Sequence, residues 1–346
     1  MTITKKLLVL LLACLLIGSF AFAGGQKEGA AAPSATGKIT IAFVPKTLGI
    51  AVFDAMDNGA KEAAKDTGAN VEIVYQGPSS PTAEGQISII STLIAQHVNA
   101  IEISTNDTDA LVPICKKAMD AGIKVISYDS AIAPEGRILH VAPWDDEQVG
   151  RSAVQLISKM IKNTGEIAIL STSATTTNQN TWIKWMKAEL QDPKYANLKL
   201  DAIAYGYDEA DKSYTEAMGL FKSYPNLAGI ISPTTIGIAA AAKALEDASL
   251  AGKIQLTGYG LPSQMKKYIQ DGTCTAMELY NPVDLGYAST FIAYDLVKGN
   301  LSSVKVGDSF DMGRMGKRTV LDGNVIVQGN TFVFDKSNID QYAAIF

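Results

Sequence analysis

Residues 39–46 read I-T-I-A-F-V-P-K, an apolar run of strand length that ends in a proline and a lysine. A segment of helix length follows, and the same alternation continues to residue 128. The runs are apolar on both faces, as expected for parallel strands covered by helices on each side of a sheet. The pattern therefore predicts a doubly wound α/β domain with strands at 39–44, 71–75, 100–104 and 125–128.

The same rhythm restarts after residues 137–142 and predicts a second parallel sheet. Its apolar runs lie at 166–170, 198–205, 229–232, 255–257 and 274–279, with segments of helix length between them. A chain of 346 residues is long for one hydrophobic core and natural for two. The fold class is therefore α/β, with two doubly wound parallel-sheet lobes.

The first 23 residues have the sequence of an export signal. Lys5 and Lys6 precede an apolar stretch, and A-F-A at 21–23 places small residues where a signal peptidase cuts. That stretch barely reaches the length of a membrane-spanning helix, so cleavage after residue 23 is the favoured interpretation. Acylation of Cys14, which follows L-L-A as in a lipobox, stays open as an alternative. Residues 24–37 are small and polar and are expected to form a flexible tether.

The charge balance argues against nucleic acid as a partner. Without residues 1–23, 28 basic residues stand against 35 acidic ones, a formal charge of −7. The spacing of Cys115 and Cys274 does not indicate a disulfide, and we expect two buried, unpaired thiols. With His97 and His140 as the only histidines, no metal site or cofactor is predicted.

Polar side chains follow strands in both halves, and in open α/β sheets a ligand binds beyond the carboxyl ends of the strands. Asp129, Asn178 and Gln179 form a set that suits vicinal hydroxyl groups, because a carboxylate accepts hydrogen bonds and amides both donate and accept them. Lys46 is either a donor to a ligand oxygen or a solvated rim charge. Asn281 stands in the same position after the last apolar run.

Two further groups of residues at these positions are open to two interpretations. We interpret Asp107, Thr108 and Asp208 as helix N-caps, because short polar side chains are favoured there for backbone reasons. Phe53 and Trp182 are candidates for apolar faces against a sugar ring, although their helical spacing also suits the core.

Sequence motifs of common enzyme classes are missing. No G-x-S-x-G occurs, G-Y-G-L-P-S at 258–263 lacks the third glycine of a dinucleotide loop, and G-R-M-G-K-R at 313–318 lacks the Walker spacing. His140 lies inside an apolar strand, where a structural histidine is the commoner finding. The sequence therefore predicts a protein without enzymatic activity.

Several segments together resemble type I periplasmic sugar-binding proteins. Within that family the chain looks similar to the branch that holds rhamnose-binding proteins and autoinducer-2 receptors, over nearly all of residues 38–342. The segments that carry the resemblance are I-A-F-V-P-K-T-L-G-I from Ile41, P-T-A-E-G-Q-I from Pro81, Y-D-S from Tyr128, T-N-Q-N-T-W from Thr177, I-I-S-P-T-T-I-G from Ile230 and N-P-V-D-L-G-Y from Asn281.

The resemblance implies two lobes joined by three crossing segments. These are expected near 141–145, 272–280 and 308–313. The expected N-terminal lobe then comprises residues 38–142 plus 275–309, and the C-terminal lobe comprises residues 143–274 plus 310–346.

The resemblance also implies a set of ligand-binding residues. Autoinducer-2 receptors hold their ligand with a lysine, two aspartates, a glutamine, a proline and an alanine, and four of these positions match here, at Lys46, Asp129, Gln179 and Pro233. Asn178 replaces the second aspartate and Thr235 the alanine, which makes the rhamnose type more similar at both places. Gly260 stands where ribose- and galactose-type relatives carry an aspartate, which speaks against their sites.

The function that the resemblance implies is capture of a small sugar-like ligand, rhamnose or autoinducer-2, for an ABC transporter permease. The protein is then expected to be a periplasmic monomer that closes around its ligand. An exported sugar-acting enzyme and a chemosensory sugar receptor are the alternatives. A sugar-responsive repressor shares the fold, but it needs a basic helix-turn-helix where this chain has its apolar N-terminus.

Overall fold

The computed structural model describes residues 37–301, 304–329 and 331–346. The expected signal peptide, Cys14 and all of the expected tether except Gly37 lie outside the described residues. The strands are β1 (Ile39–Val44), β2 (Val71–Tyr75), β3 (Ala100–Ile103), β4 (Lys124–Tyr128), β5 (Leu139–Ala142), β6 (Gly165–Ser171), β7 (Leu198–Tyr205), β8 (Leu227–Ser232), β9 (Gln255–Gly258), β10 (Ala276–Leu279), β11 (Ser309–Asp311), β12 (Lys317–Thr319), β13 (Val325–Val327) and β14 (Phe332–Asp335).

Helices alternate with these strands, as the apolar pattern predicts. They are α1 (Ala51–Asp66), α2 (Ala83–Ala95), α3 (Val112–Asp120), α4 (Asp146–Met160), α5 (Thr177–Glu189), α6 (Ala210–Ser223), α7 (Thr235–Asp247), α8 (Pro262–Asp271), α9 (Pro282–Lys298) and α10 (Ile339–Tyr342). Short 3₁₀ turns lie at Pro134–Gly136, Pro193–Tyr195 and Gly313–Met315.

The first sheet has the strand order β13-β5-β4-β3-β1-β2, and its neighbouring strands are parallel. Its central strands β1, β3 and β4 are almost wholly buried, which explains why they read as continuous apolar runs. Helix α9 packs closely on α1, because Gly59 and Gly286 each leave room for the backbone of the other helix. A side chain at either glycine would collide with a backbone carbonyl oxygen of the facing helix.

The second sheet has the parallel order β7-β6-β8-β9. Strand β10 joins its edge through a parallel bridge between Tyr259 and Glu278, and β14 pairs with β10 in the antiparallel sense. The two parallel sheets confirm the predicted α/β class with two doubly wound lobes.

The chain passes between the sheets three times within the described residues: between β5 and α4, between β10 and α9, and between β13 and β14. The last passage differs from the expected one at 308–313. Residues 309–311 and 317–319 instead form a hairpin. Arg314, in the turn between them, donates hydrogen bonds to Glu62 and Asp284 of the first lobe. The apolar V-I-V of β13 then covers the edge of β5. The bounds expected for the lobes therefore shift, because β13 joins the first sheet and β10 the second.

Two further observations bear on the sequence-based expectations. In the described part of the chain, no helix combines the length and the apolarity needed to cross a bilayer. Cys115 and Cys274 are both buried and unpaired, as predicted.

Candidate functional site

One pocket lies where the carboxyl ends of both sheets meet, the place that the α/β topology predicts for a ligand. Residues that follow strands in both lobes line it, together with the first turns of α1, α5 and α7. The lining residues are Lys46, Ile50, Val52, Phe53, Asp129, Trp144, Asn178, Gln179, Trp182, Asp208, Pro233, Thr234, Thr235, Tyr259 and Tyr280.

The first lobe contributes a buried ion pair to this pocket. Lys46 follows β1 and Asp129 follows β4, with exposed fractions of 3% and 7%. Lys46 Nζ lies 3.6 Å from Asp129 Oδ2, which also accepts a 2.6 Å hydrogen bond from Ser104 Oγ. Tyr280 OH donates to Asp129 Oδ1 at 3.3 Å. Two charges removed from water require such partners, so this carboxylate is fixed by the protein itself.

The backbone of Asp129 is unusual. Its φ of +55° lies in the left-handed region, which aspartate tolerates better than most residues. This conformation turns the chain directly after β4, where the side chain meets Lys46 and Ser104. Left-handed backbone at a non-glycine residue is often found at ligand sites, where the surrounding contacts hold the strained conformation.

Asn178 links the second lobe to this ion pair. Its Oδ1 accepts from Lys46 Nζ at 3.2 Å, and its Nδ2 donates to Asp129 Oδ1, also at 3.2 Å. A hydroxyl–hydroxyl contact between Thr108 and Thr177 also joins the two lobes. The pocket is therefore closed by hydrogen bonds between the lobes.

Gln179 lines the pocket, but its side chain forms its hydrogen bonds within the second lobe. Its Oε1 accepts from Ser171 Oγ at 2.6 Å and from the Thr172 backbone N–H at 2.8 Å, and its Nε2 donates to Thr172 Oγ1 at 2.8 Å. These bonds tie the start of α5 to the end of β6. Gln179 thereby holds the neighbouring Asn178 in place.

Asp208 is a site residue that the sequence analysis missed. Its N-cap interpretation is wrong, because the N-cap of α6 is Glu209, and Asp208 Oδ1 instead accepts from Thr172 Oγ1 at 2.7 Å and from Thr234 Oγ1. Its φ of +53° resembles that of Asp129. The N-cap interpretation of Thr108 is also wrong, since its hydroxyl meets Thr177. The helix N-cap interpretation of Asp107 is wrong as well, because the N-cap of α3 is Leu111; Asp107 Oδ1 accepts instead from the backbone N–H groups of residues 109 and 110 in the preceding turn.

Four aromatic side chains form one wall of the pocket: Trp144, Trp182, Tyr259 and Tyr280. Their ring centroids lie 4.8–5.3 Å apart in the contacting pairs, mostly edge to face. Trp182 was among the sequence candidates and the other three were missed. Tyr259 and Tyr280 each follow a strand directly, and Trp144 follows β5 by two residues, so the rule used for polar residues would have found them.

A half-buried carboxyl group and a buried histidine lie beside the pocket. Trp182 Nε1 donates to Asp146 Oδ1 at 2.6 Å, and burial raises the pKa of Asp146 to about 6. Burial lowers the pKa of His140 to about 3, and its Nδ1 lies 3.0 Å from Ser127 Oγ, which fits the predicted structural histidine. Among the described residues, no group of His, Cys, Asp and Glu side chains is arranged to hold a metal ion.

Comparison with known proteins identifies the family. Residues 41–301 match the model of the periplasmic binding protein domain, which is three quarters of the chain. The chain belongs to that family. An ABC transporter solute binding protein from Clostridium phytofermentas, solved with bound L-rhamnose, is 36% identical, with a TM-score of 0.84 over 89% of this chain and 99% of that one.

Two further relatives of this periplasmic binding protein span most of its length. LsrB from Clostridium saccharobutylicum, in complex with AI-2, is 26% identical with a TM-score of 0.83, over 88% of this chain and 99% of that chain. The D-ribose/D-allose-binding protein of Pseudomonas aeruginosa is 28% identical over 69% of this chain and 76% of its own length. The resemblance predicted from the sequence is thereby confirmed, together with the type I fold.

The pocket of this periplasmic binding protein brings together seven of the eight sequence candidates: Lys46, Phe53, Asp129, Asn178, Gln179, Pro233 and Thr235. The eighth, Asn281, is the N-cap of α9. Its Oδ1 accepts from the backbone N–H groups of Val283 and Asp284, and its Nδ2 donates to Asp284 Oδ2 at 2.7 Å. The capping role of a short polar residue thus applies to Asn281 rather than to Asp208.

Proposed function

We propose that this protein is the sugar-binding subunit of an ABC importer, which closes on a single small sugar and presents it to a membrane permease. The observation that carries the proposal is the network of Lys46, Asp129 and Asn178, in which charged and amide groups of both lobes converge on one pocket. Acceptors and donors at this spacing suit vicinal hydroxyl groups, and the aromatic wall suits the apolar face of a sugar ring.

L-Rhamnose is the ligand that we propose first. The relative solved with bound L-rhamnose is 36% identical over nearly the whole fold, and Asn178 and Thr235 are the two places where this chain departs from the autoinducer-2 pattern. Autoinducer-2 is the second candidate, since Lys46, Asp129 and Gln179 match that pattern and the AI-2 complex has a TM-score of 0.83.

Ribose fits this site less well, although a D-ribose/D-allose-binding protein is among the relatives. Ribose-type proteins are expected to carry an aspartate at the position of Gly260. A Cβ atom at Gly260 would lie 2.3 Å from Met277 Sδ and 2.8 Å from Met265 Cγ, both buried in the second lobe. A side chain at residue 260 would therefore require both methionine side chains to move.

Calorimetric titration of the protein with L-rhamnose, autoinducer-2 and D-ribose tests the proposal. We expect the tightest binding for L-rhamnose and unchanged sugar after long incubation, as for a binding protein without turnover. Conversion of any sugar would favour the exported enzyme instead. Failure of all three ligands to bind would contradict the proposed ligand class.

Export to the periplasm and delivery to a permease belong to the same proposal. The family match supports both, and the N-terminal sequence supports export. Sugar uptake should fall in a strain that lacks the protein and return with the intact gene. A loss of taxis without a loss of uptake would favour the chemosensory receptor.

A further inference from the structure

A second cavity lies beside the sugar pocket and shares part of its wall. It is lined from the first lobe by residues of β5 and β13, from the second lobe by the starts of α4 and α5, and by the segment 306–322. Asp129, Trp144 and Asn178 line both cavities, so these three residues form the partition between them. We call this second cavity the side chamber.

The two spaces differ strongly in size. The side chamber measures about 710 Å³, whereas the sugar pocket measures about 50 Å³. A water molecule needs about 10–15 Å³ on this scale, so the pocket takes the place of only a few waters. Such a space suits one small sugar ring, while the chamber would accommodate a larger substituent.

Trp144 is the largest member of the partition, and its polar atom is unused. Its side chain is 1% exposed, and its Nε1 has no hydrogen-bond partner among the residues that the structure describes. Trp182, the other tryptophan of the pocket, donates its N–H to Asp146. An indole N–H can only donate, and a buried donor without an acceptor is costly, so proteins seldom leave one unpaired.

Asp129, Asn178 and Gln179 of the pocket already have partners in the protein. Asp129 accepts from Ser104, Asn178 and Tyr280 in addition to its contact with Lys46. The N–H of Trp144, in contrast, is a donor that no described group of the protein uses.

We propose that Trp144 determines ligand specificity in two ways: its indole N–H donates to an oxygen of the bound sugar, and its ring closes the pocket against the side chamber. The inference rests on the proposed function and deepens it, because it restricts the ligand to a single ring with an acceptor oxygen at this wall. A glycoside with a bulky substituent is excluded by the ring rather than by lack of space beyond it.

Replacement of Trp144 by phenylalanine separates the hydrogen bond from the ring. With L-rhamnose as the probe, we expect Trp144→Phe to bind about tenfold more weakly, an effect of about 1.4 kcal/mol. The control is Trp185→Phe, because Trp185 lines only the side chamber. The affinity of this variant for L-rhamnose should stay within about twofold of the wild type. In a series of monodeoxy-rhamnoses, one compound should bind wild type and Trp144→Phe equally, since it lacks the contacted oxygen.

Replacement by alanine tests the partition. The wild type should bind p-nitrophenyl α-L-rhamnopyranoside at least about 100-fold more weakly than L-rhamnose, and Trp144→Ala should reduce that ratio to about tenfold or less by joining the two cavities. Equal affinity of Trp144→Phe and wild type for L-rhamnose and for every deoxy compound would overturn the donor role. Strong binding of the glycoside by the wild type would overturn the partition. A wild type that binds none of the monosaccharides would overturn the proposed function together with this inference.

Discussion

The carboxyl edges of the two sheets meet at one pocket, but they contribute different chemistry to it. The first lobe places a lysine and an aspartate there, each almost completely buried and held against the other. The second lobe places amide and hydroxyl groups there, mostly bonded within that lobe, as in the bonds of Gln179 to Ser171 and Thr172. Asp208 is the charged exception, and two threonine hydroxyls donate to it.

The comparison indicates that the two lobes have different roles in ligand binding. Asp129 is held by Ser104 of the first lobe and by Tyr280, which directly follows β10 of the second lobe. The neutral groups of the second lobe reach this ion pair through Asn178 and Tyr280. We therefore expect the first lobe to supply most of the binding free energy and the second lobe to supply selectivity.

The largest expected effect is on the pH dependence of the free energy of unfolding. It comes from two buried carboxyl groups, one in each lobe. Burial raises the pKa of Glu102 in the first lobe to about 8 and that of Glu278 in the second lobe to about 7, from an ordinary value of 4.5. Thr290 donates to Glu102, whose Oε2 has no partner among the described residues, and Ser152 donates to Glu278. The first lobe thus buries the less well compensated carboxyl group.

The folded protein keeps these protons at pH values where the unfolded chain releases them. These two groups should therefore lower the free energy of unfolding as the pH rises from about 4.5 to about 8, against a smaller opposite change from His140 below about pH 6.5. At about 1.4 kcal/mol per pKa unit, the loss is on the order of 5 kcal/mol for Glu102 and on the order of 3 kcal/mol for Glu278. Urea denaturation at pH 5 and pH 8 measures it. Glu102→Gln should flatten the dependence of the free energy of unfolding on pH more than Glu278→Gln, and Glu72→Gln, at an exposed position, should leave it unchanged. A larger effect of Glu278→Gln would contradict the view that the first lobe buries the less well compensated carboxyl group.

The second expected effect is on ligand affinity. Asp129→Ala leaves Lys46 buried without its carboxylate and removes the acceptor of three donors, so we expect about a 100-fold loss of sugar affinity. Thr105→Ala is the matched control, because Thr105 is also buried in the first lobe but donates only to the backbone of Asp107. Calorimetry should show a change within about threefold for the control. Similar losses in both variants would mean that the ion pair does not bind the ligand.

The smallest expected effect is on selectivity, and it tests the role given to the second lobe. Asn178→Asp combined with Thr235→Ala restores the autoinducer-2 pattern, adds a carboxylate 3.2 Å from Lys46 Nζ and opens space beside it. The ratio of the affinities for autoinducer-2 and L-rhamnose should rise about tenfold, mainly through weaker rhamnose binding. Gln270→Ala, a change on the surface of α8, is the control. Unchanged affinities for both ligands would show that residues 178 and 235 do not set the selectivity.

The candidate site could be predicted from the sequence wherever a residue type is informative by its position alone. Lys46 and Asp129 each follow an apolar strand. That position predicted a ligand contact for Asp129, but for Lys46 it also allowed a solvated rim charge, which the burial of Lys46 in the structure excludes. Asp208 could not be assigned in this way, because an aspartate shortly before a helix also fits an N-cap. Asn281 shows the converse error, since the same kind of position turned out to be a cap.

The aromatic wall was missed for a different reason. Trp144, Tyr259 and Tyr280 are large and apolar, so a sequence reading assigns them to the core, and they are indeed almost fully buried. Their position beside the pocket depends on which strand ends meet. Strand β13 was missed as part of the first sheet because its pairing with β5 joins residues more than 180 positions apart.

The sequence by itself determined the period of strands and helices, and with it the two parallel sheets and the edge at which the candidate pocket lies, because burial on both faces dictates continuous apolar runs. Only the tertiary structure decided which side chains at that edge face one another. The bond between Lys46 and Asn178 joins residues 132 positions apart in different lobes, and no local pattern encodes that distance. Hydrogen bonds depend on separations of about 3 Å, and in this pocket the packing of the two lobes sets them.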